Sequence, residues 1–249
     1  MKYLVCNWKM NPKTIAAATL LFQSIRKVAN NVSGITTVVC PPACFLGLLQ
    51  HDESDTQYLL GAQDGHYLPD GSVTGGVSIE MLHRLGAKYL LVGHSDLHDS
   101  GDTEILNKKI TSAIGLSVTP IVCIGERKRD GAGAWKKEII QNMKKIFNKV
   151  KIPADQQLLI AYEPVWAIGA RARRAASMAE FVEARDIIRN NILKLGISKK
   201  NIPVLYGGSV DHVNVHNLFS ETDGFLVGRR SLDPRNLHDI IKAVENPFV

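Results

Sequence analysis

Aromatic residues are scarce in this chain, at 6% of its 249 residues, although it carries a formal net charge of +6. Basic proteins that bind nucleic acid gather their charge on one motif and interleave it with stacking aromatics. No such motif occurs here. The six lysines between Trp135 and Lys151 alternate with Ile139, Ile140, Met143, Ile146, Phe147 and Val150, which describes a solvated helix face. No nucleic-acid partner is expected. Long apolar runs are missing too: none approaches the roughly 18 residues a bilayer span requires, so no membrane partner is expected either. Cysteine is sparse. Cys6, Cys40, Cys44 and Cys123 form no Cys-x-x-Cys set, which argues against a disulfide framework or a zinc site and for four reduced thiols. Nor is there a leader-like start, because Lys2-Tyr3-Leu4-Val5-Cys6 reads at once as a strand. The expected location is cytoplasmic.

What the chain does have is regular alternation. Short β-rich runs recur at Tyr3–Cys6, Thr37–Cys40, Tyr58–Gly61, Tyr89–Val92, Pro120–Ile124, Leu158–Tyr162, Pro203–Tyr206 and Phe225–Val227. They are continuously apolar, as strands covered on both faces must be. Helical patterns fall between them, near 13–30, 43–50, 78–85, 103–114, 134–150, 178–195, 211–220 and 234–244. Strand and helix alternating eight times imply parallel strands joined by right-handed crossovers. A doubly wound open sheet usually opens with a glycine-rich turn, whereas the first turn here is Asn7-Trp8-Lys9-Met10-Asn11-Pro12. The expected fold is α/β, a (βα)8 TIM barrel in one domain over residues 1–249, since such barrels take about 250 residues.

Barrel chemistry sits at the C-terminal ends of the strands. Those ends carry Asn7 and Lys9, then His94-Ser95, Gly125-Glu126, Glu163, Gly207-Gly208-Ser209 and Gly228. Asn7 and Lys9 are two apart, so they share one side of the first strand and aim at the barrel mouth, while Cys6 and Trp8 face the helices. Glu163, on a turn beside Trp166, reads as a general base whose pKa partial burial raises. His94, ahead of the turn opened by Ser95 and Asp96, reads as a neutral electrophile placed at a helix N-terminus. Lys9 sets a fixed positive charge where an enediolate oxygen develops. Gly207, Gly208, Ser209 and Gly228 let backbone N–H groups approach a phosphate. Singly, each has a plainer reading: a structural histidine, an ordinary turn, a solvated lysine. Together they specify proton transfer alpha to the carbonyl of a phosphorylated substrate.

The segments Asn7-Trp8-Lys9-Met10-Asn11, Gly93-His94-Ser95, Cys123-Ile124-Gly125-Glu126, Ala161-Tyr162-Glu163-Pro164-Val165-Trp166-Ala167-Ile168-Gly169, Tyr206-Gly207-Gly208-Ser209-Val210 and Leu226-Val227-Gly228 resemble the signature stretches of the triosephosphate isomerase family, in family order and across nearly the whole chain. The resemblance implies interconversion of dihydroxyacetone phosphate and glyceraldehyde 3-phosphate, with no metal and no organic cofactor. It implies Glu163 as base, His94 as electrophile, Lys9 as electrostatic stabiliser and Asn7 as a positioning amide. Gly169, Gly207, Gly208, Ser209, Gly228 and Arg229 would bind the substrate phosphate. Glu126, Ser95 and Tyr206 would be structural residues beside the site.

The resemblance also implies a homodimer formed through the loop Gln63–Gly76, with its tip near Thr74 beside the partner's catalytic residues. Here the family's interfacial glutamate and arginine have become Gly76 and Leu97. The family's lid Gly-Thr-Gly-Lys-Thr-Ala has become Gly169-Ala170-Arg171-Ala172-Arg173-Arg174-Ala175-Ala176, and a Gly-Gly pair has become Gly228-Arg229. Seven arginines (127, 129, 171, 173, 174, 229 and 230) fall on the loops of the catalytic face, a positive rim suited to an anionic substrate. Two rival functions remain. One is a weakened isomerase relative that serves as a binding protein. The other is an isomerase of another phosphorylated carbonyl compound on the same barrel.

Overall fold

A computed structural model describes residues 2–30, 32–49, 58–98, 101–169, 172, 174–195, 197 and 202–245. Eight strands lie in chain order around a closed parallel barrel: β1 (Lys2–Asn7), β2 (Ile35–Cys40), β3 (Tyr58–Ala62), β4 (Tyr89–Val92), β5 (Thr119–Ile124), β6 (Leu159–Tyr162), β7 (Val204–Tyr206) and β8 (Gly224–Val227). β1 pairs with β2 from Lys2↔Ile35 to Asn7↔Cys40, and with β8 from Tyr3↔Gly224 to Cys6↔Val227, which closes the ring. The helices are α1 (Ile15–Ala29), α2 (Ala43–Leu46), α3 (Ile79–Arg84), α4 (Thr103–Gly115), α5 (Ala134–Ile146), α6 (Met178–Lys194), α7 (His212–Leu218) and α8 (Pro234–Glu245).

Alternation along each strand sorts the core into two layers. Tyr3 and Val5 point inward with Val38, Cys40, Leu91, Ile121, Cys123, Leu159, Ala161, Leu205 and Leu226, which fill the barrel. Leu4, Cys6 and Trp8 point outward into the larger layer beneath the helices. Asn7 follows the inward parity of Tyr3 and Val5, so its amide emerges at the mouth of the barrel. The helices bury one stripe each. In α1 the buried residues are Ala18, Leu21, Phe22, Ile25 and Ala29, and the Thr14 hydroxyl caps the N-terminus by accepting from Ala17 N at 3.2 Å.

Two helices end four residues before their sequence patterns do. α2 spans only Ala43–Leu46, directly after Pro42, and residue 50 of its expected range lies outside the described residues. α5 stops at Ile146, although Phe147 and Val150 are still buried, so apolar spacing outran the helix by four residues. The α5 lysines 137, 144 and 145 are exposed while Ile139, Met143 and Ile146 are buried. Cys6, Cys40 and Cys123 are buried and Cys44 exposed, all as free thiols. No described helix is long and apolar enough to cross a membrane.

Candidate active site

The C-terminal mouth of the barrel holds a cavity of about 240 Å³. Asn7, Lys9, His94, Glu163, Gly169, Gly207, Gly208, Ser209, Gly228 and Arg229 all line it. Glu126, Ser95 and Tyr206 do not. Its size suits a small metabolite rather than a drug-sized ligand.

Glu163 is set by its neighbours' backbones. Its N–H donates to Ile124 O at 2.9 Å, continuing the β5–β6 ladder past the end of β6. A Cβ at Gly125 would stand 1.7 Å from the Glu163 carbonyl oxygen, so only glycine allows β5 to pass this close. The Glu163 side chain is almost wholly buried, at 3% exposure. One carboxylate oxygen lies 3.1 Å from His94 Nε2, and the other accepts from Ser95 N at 3.2 Å. Burial pushes this carboxyl above its ordinary value, against the pull of His94, the Ser95 N–H and Lys9. The barrel mouth supplies that burial. Trp166 does not, because its indole turns away to donate to Glu126 at 2.9 Å. Cys123, from inside β5, contacts the Glu163 carboxyl, and burial together with that carboxylate holds its thiol well above the usual range.

The tautomer of His94 follows from its partners. Nδ1 accepts the Asp96 N–H at 3.1 Å, so the proton of the neutral ring sits on Nε2, facing Glu163 and the cavity. The turn of Ser95 and Asp96 suggests, from sequence, a helix N-terminus at His94. The structure places it before a single turn, closed by Leu97 N donating to His94 O at 2.9 Å, and α4 starts only at Thr103. One backbone N–H therefore fixes the ring without a helix dipole.

Lys9 stands in the left-handed region, with φ of 53°, a conformation that costs a non-glycine residue energy and needs a rigid frame. The frame is visible. Its N–H donates to Asn7 Oδ1 at 2.9 Å, and its carbonyl accepts from Gln63 Nε2 at 2.8 Å. The same Gln63 amide donates to Cys40 O at 2.9 Å, tying the loop to β2. Lys9 Nζ then reaches Asp96 Oδ2 at 2.7 Å. Partial burial pushes the Asp96 carboxyl up, but the hydrogen bond and charge of Lys9 outweigh it and leave the carboxyl below its ordinary value. Sequence alone gives Asp96 as part of the turn after His94 and Gln63 as the start of a loop, and gives neither a part in holding Lys9. Asp96 had a local signal, sitting directly after His94-Ser95, whereas Gln63 acts across the barrel mouth and had none.

The opposite end of the cavity is made of turns. Gly169 takes φ of 77°, Ser209 Oγ donates to Ala167 O at 3.1 Å, and Gly228 precedes a short 3-10 turn, Arg229–Leu232. Arg230 and Asp211 also line the cavity, 3.6 Å apart. The five described arginines of the expected rim do not all face the cavity. Arg129 is bound to Glu183 at 2.5 Å and lies over the Trp135 ring, and Arg174 grips Glu180. Arg127 lines a neighbouring cavity behind Ser95 and Glu163. Arg171 and Arg173 lie outside the described residues. Arg229 and Arg230 alone of the described five face the ligand cavity.

Glu126, fully buried, accepts from the Tyr162 hydroxyl at 2.8 Å and from Trp166, and Tyr206 accepts from Ala176 N at 3.1 Å. These two brace the loop after β6 from behind. Among the described residues no group of three or more His, Cys, Asp or Glu side chains is arranged to hold a metal ion.

A family model described as triosephosphate isomerase matches residues 2–244. The chain is 35% identical over 246 residues to a triosephosphate isomerase of Aquifex aeolicus (strain VF5), covering 96% of this chain and 98% of that one. It is 35% identical over 250 residues to a triosephosphate isomerase of Wolbachia pipientis wMel, covering 98% and 95%. A third, from Wolbachia sp. subsp. Brugia malayi (strain TRS), is 34% identical over 250 residues, with 98% of both chains covered.

Proposed function

We infer from membership of the triosephosphate isomerase family, to which this chain belongs, how its residues share out the work of an intramolecular aldose–ketose isomerase. The substrates are dihydroxyacetone phosphate and glyceraldehyde 3-phosphate, a step common to glycolysis and gluconeogenesis, and the functional unit is one barrel domain over residues 1–249. Glu163 removes a proton from the carbon next to the carbonyl and returns it to the neighbouring carbon. His94 presents its Nε2–H to the carbonyl oxygen, Lys9 stabilises the negative charge that develops there, and Asn7 holds both the Lys9 turn and the substrate. Gly169, Gly207, Gly208, Ser209, Gly228 and Arg229 receive the phosphate, while Glu126, Ser95 and Tyr206 support from outside.

The observation that carries this assignment is the pairing of a buried carboxylate with a neutral imidazole at 3.1 Å, beside a lysine whose backbone is held in a costly conformation. Burial makes this carboxylate a stronger base than one in water. The imidazole donates without placing a second positive charge against that base. No organic cofactor or metal has a part in these steps. A coupled isomerase assay on the purified chain tests the reading: turnover of triose phosphate is expected, and its absence in folded protein refutes it. Nothing in the site favours a retired isomerase or another phosphorylated carbonyl substrate.

The expectation of a homodimer through the loop Gln63–Gly76 draws on exposed apolar surface gathered on one face. Residues 68–77 are all exposed, with Leu68, Val73 and Val77 among them. At the loop's base lies a hollow of about 520 Å³ lined by Lys9, Met10, Gln63, Tyr67, Gly76 and Leu97, and Met10 is 91% exposed. An exposed apolar loop beside an apolar hollow is the self-complementary arrangement a two-fold interface requires. With Gly76 and Leu97 both uncharged, neither leaves a charge unpaired. Four free thiols fit a reducing, cytoplasmic setting.

A further inference from the structure

The loop that leaves β6 past Glu163 returns to the barrel at α6, and a ring of five residues closes its base. Trp166 donates its indole N–H to Glu126 Oε1 at 2.9 Å. Arg129 lies 3.5 Å from that same oxygen and donates to the backbone carbonyl of Glu180 at 3.1 Å. The Glu180 carboxylate takes both prongs of Arg174, at 2.7 and 2.8 Å. Arg174 in turn lies over the Trp166 ring, 4.9 Å from its centroid. Trp166 belongs to the outgoing end of the loop, and Arg174 and Glu180 to the returning end. Ile168 and Gly169, which line the cavity, stand between them.

We propose that Arg174 is a positioning residue: by joining Trp166 to Glu180 it holds the two ends of the rim loop together and so pre-orders Ile168 and Gly169 for the phosphate end of the ligand. The chemistry requires arginine. Its planar fork spans both oxygens of a carboxylate and leaves a flat face to stack on the indole, whereas a lysine ammonium is a point charge. Glu180 is a firm anchor because it belongs to a capping box. Its carboxylate accepts from Ser177 N at 2.8 Å, and Ser177 Oγ accepts from Glu180 N at 3.3 Å, fixing the start of α6. Arg174 also donates to Ala175 O at 3.1 Å, next to the Ala176 N–H held by Tyr206. It does not line the cavity, so it acts through the loop and not on the ligand. A segment ordered before the ligand arrives loses less entropy on binding. Loss of the clamp therefore weakens binding and leaves the chemical step nearly intact. This role presupposes that the cavity takes a phosphorylated substrate.

The test compares wild type with Arg174→Gln, Arg174→Lys and Glu180→Gln by steady-state kinetics, inhibition by inorganic phosphate, and Trp fluorescence during phosphate titration. KM and the phosphate inhibition constant should rise together by roughly threefold to tenfold in all three, with kcat within about twofold, the size expected of one exposed fork plus one stacked cation. Thermal melting separates folding from function, since Glu180→Gln also weakens the α6 cap. Unchanged KM and phosphate affinity in Arg174→Gln, a fall confined to kcat, or full rescue by lysine overturns the clamp. Absence of isomerase activity in the wild type sinks the functional reading instead, and the phosphate titrations then still decide whether Arg174 orders the rim.

Discussion

The half of the cavity built from β1, β4 and β6 and the half built from the loops after β6, β7 and β8 are held together in opposite ways. In the first, Glu163 and His94 are buried, and Lys9 is fixed by Asn7, Gln63 and Asp96. In the second, glycines line the wall and arginines stand exposed on the rim, one of them at a former glycine. Proton transfer fails if a carboxylate moves by an ångström, so its half is bonded from every side. A phosphate is a large, symmetric charge that backbone N–H groups and nearby cations hold interchangeably. That difference fits two of the departures from the family, since the altered lid follows β6 and Arg229 lines the permissive half; Gly76 and Leu97 lie instead at the expected subunit face.

The sharpest break between the halves comes from Glu163→Gln. It removes the proton acceptor with little change of shape, so kcat should fall by about 10²–10⁴ while the fold survives. A rate near wild type removes the distinction altogether. Lys9→Met comes next, losing the cation proposed to face the developing oxyanion, with a fall of roughly 10²–10³ in kcat/KM. Arg229→Ala should act on the other half and through affinity alone. KM should rise by roughly threefold to tenfold, as for one partly exposed charge-assisted contact, and kcat/KM should depend less on salt than in wild type. An unchanged salt profile makes Arg229 an ordinary surface residue.

The same contrast has a signature in stability, because the two halves shift their glutamates in opposite directions. Burial raises Glu163, so its ionised form burdens the fold. Glu163→Gln should be no less stable than wild type at pH 7, and that advantage should shrink as pH falls through the raised value toward 4.5. Arg174 holds Glu180 down to about 2. Glu180→Gln should therefore cost about 1–2 kcal/mol at pH 7, after allowance for its partly exposed setting, and the deficit should fade as pH falls from 4.5 toward 2. Urea unfolding between pH 7 and pH 3 reads both. Two gaps of the same sign contradict the contrast. The smallest effect concerns assembly: sedimentation over a wide concentration range should show a dimer, and a fully active monomer removes it.

The exacting half was the more legible in sequence. Strand parity alone turned Asn7 inward and Trp8 outward, and reading the one or two residues after each apolar run brings Glu163 and His94 to the cavity they line, because barrel strands deliver their last residues to one face. What parity does not contain is pairing between distant side chains. Gln63 holding Lys9, and Arg129 reaching Glu183, are contacts made by the closed fold and leave no local pattern. The arginines read as one rim for the same reason: position on a loop was visible, but Arg174 turning to Glu180 and Trp166 was not. α5 was overdrawn because buried Phe147 and Val150 keep the helical spacing after the helix has ended.

The central claim is that Glu163 carries a proton between adjacent carbons of the substrate, and isomerisation in deuterium oxide followed by proton NMR examines it most directly. A carboxylic acid at the barrel mouth exchanges its proton with solvent between abstraction and return. Wild type should therefore place deuterium on the carbon next to the carbonyl, and Glu163→Gln should lose deuteration and turnover together. Turnover with no deuterium entering the product at any time, or deuteration that persists at the wild-type rate in Glu163→Gln, contradicts the account.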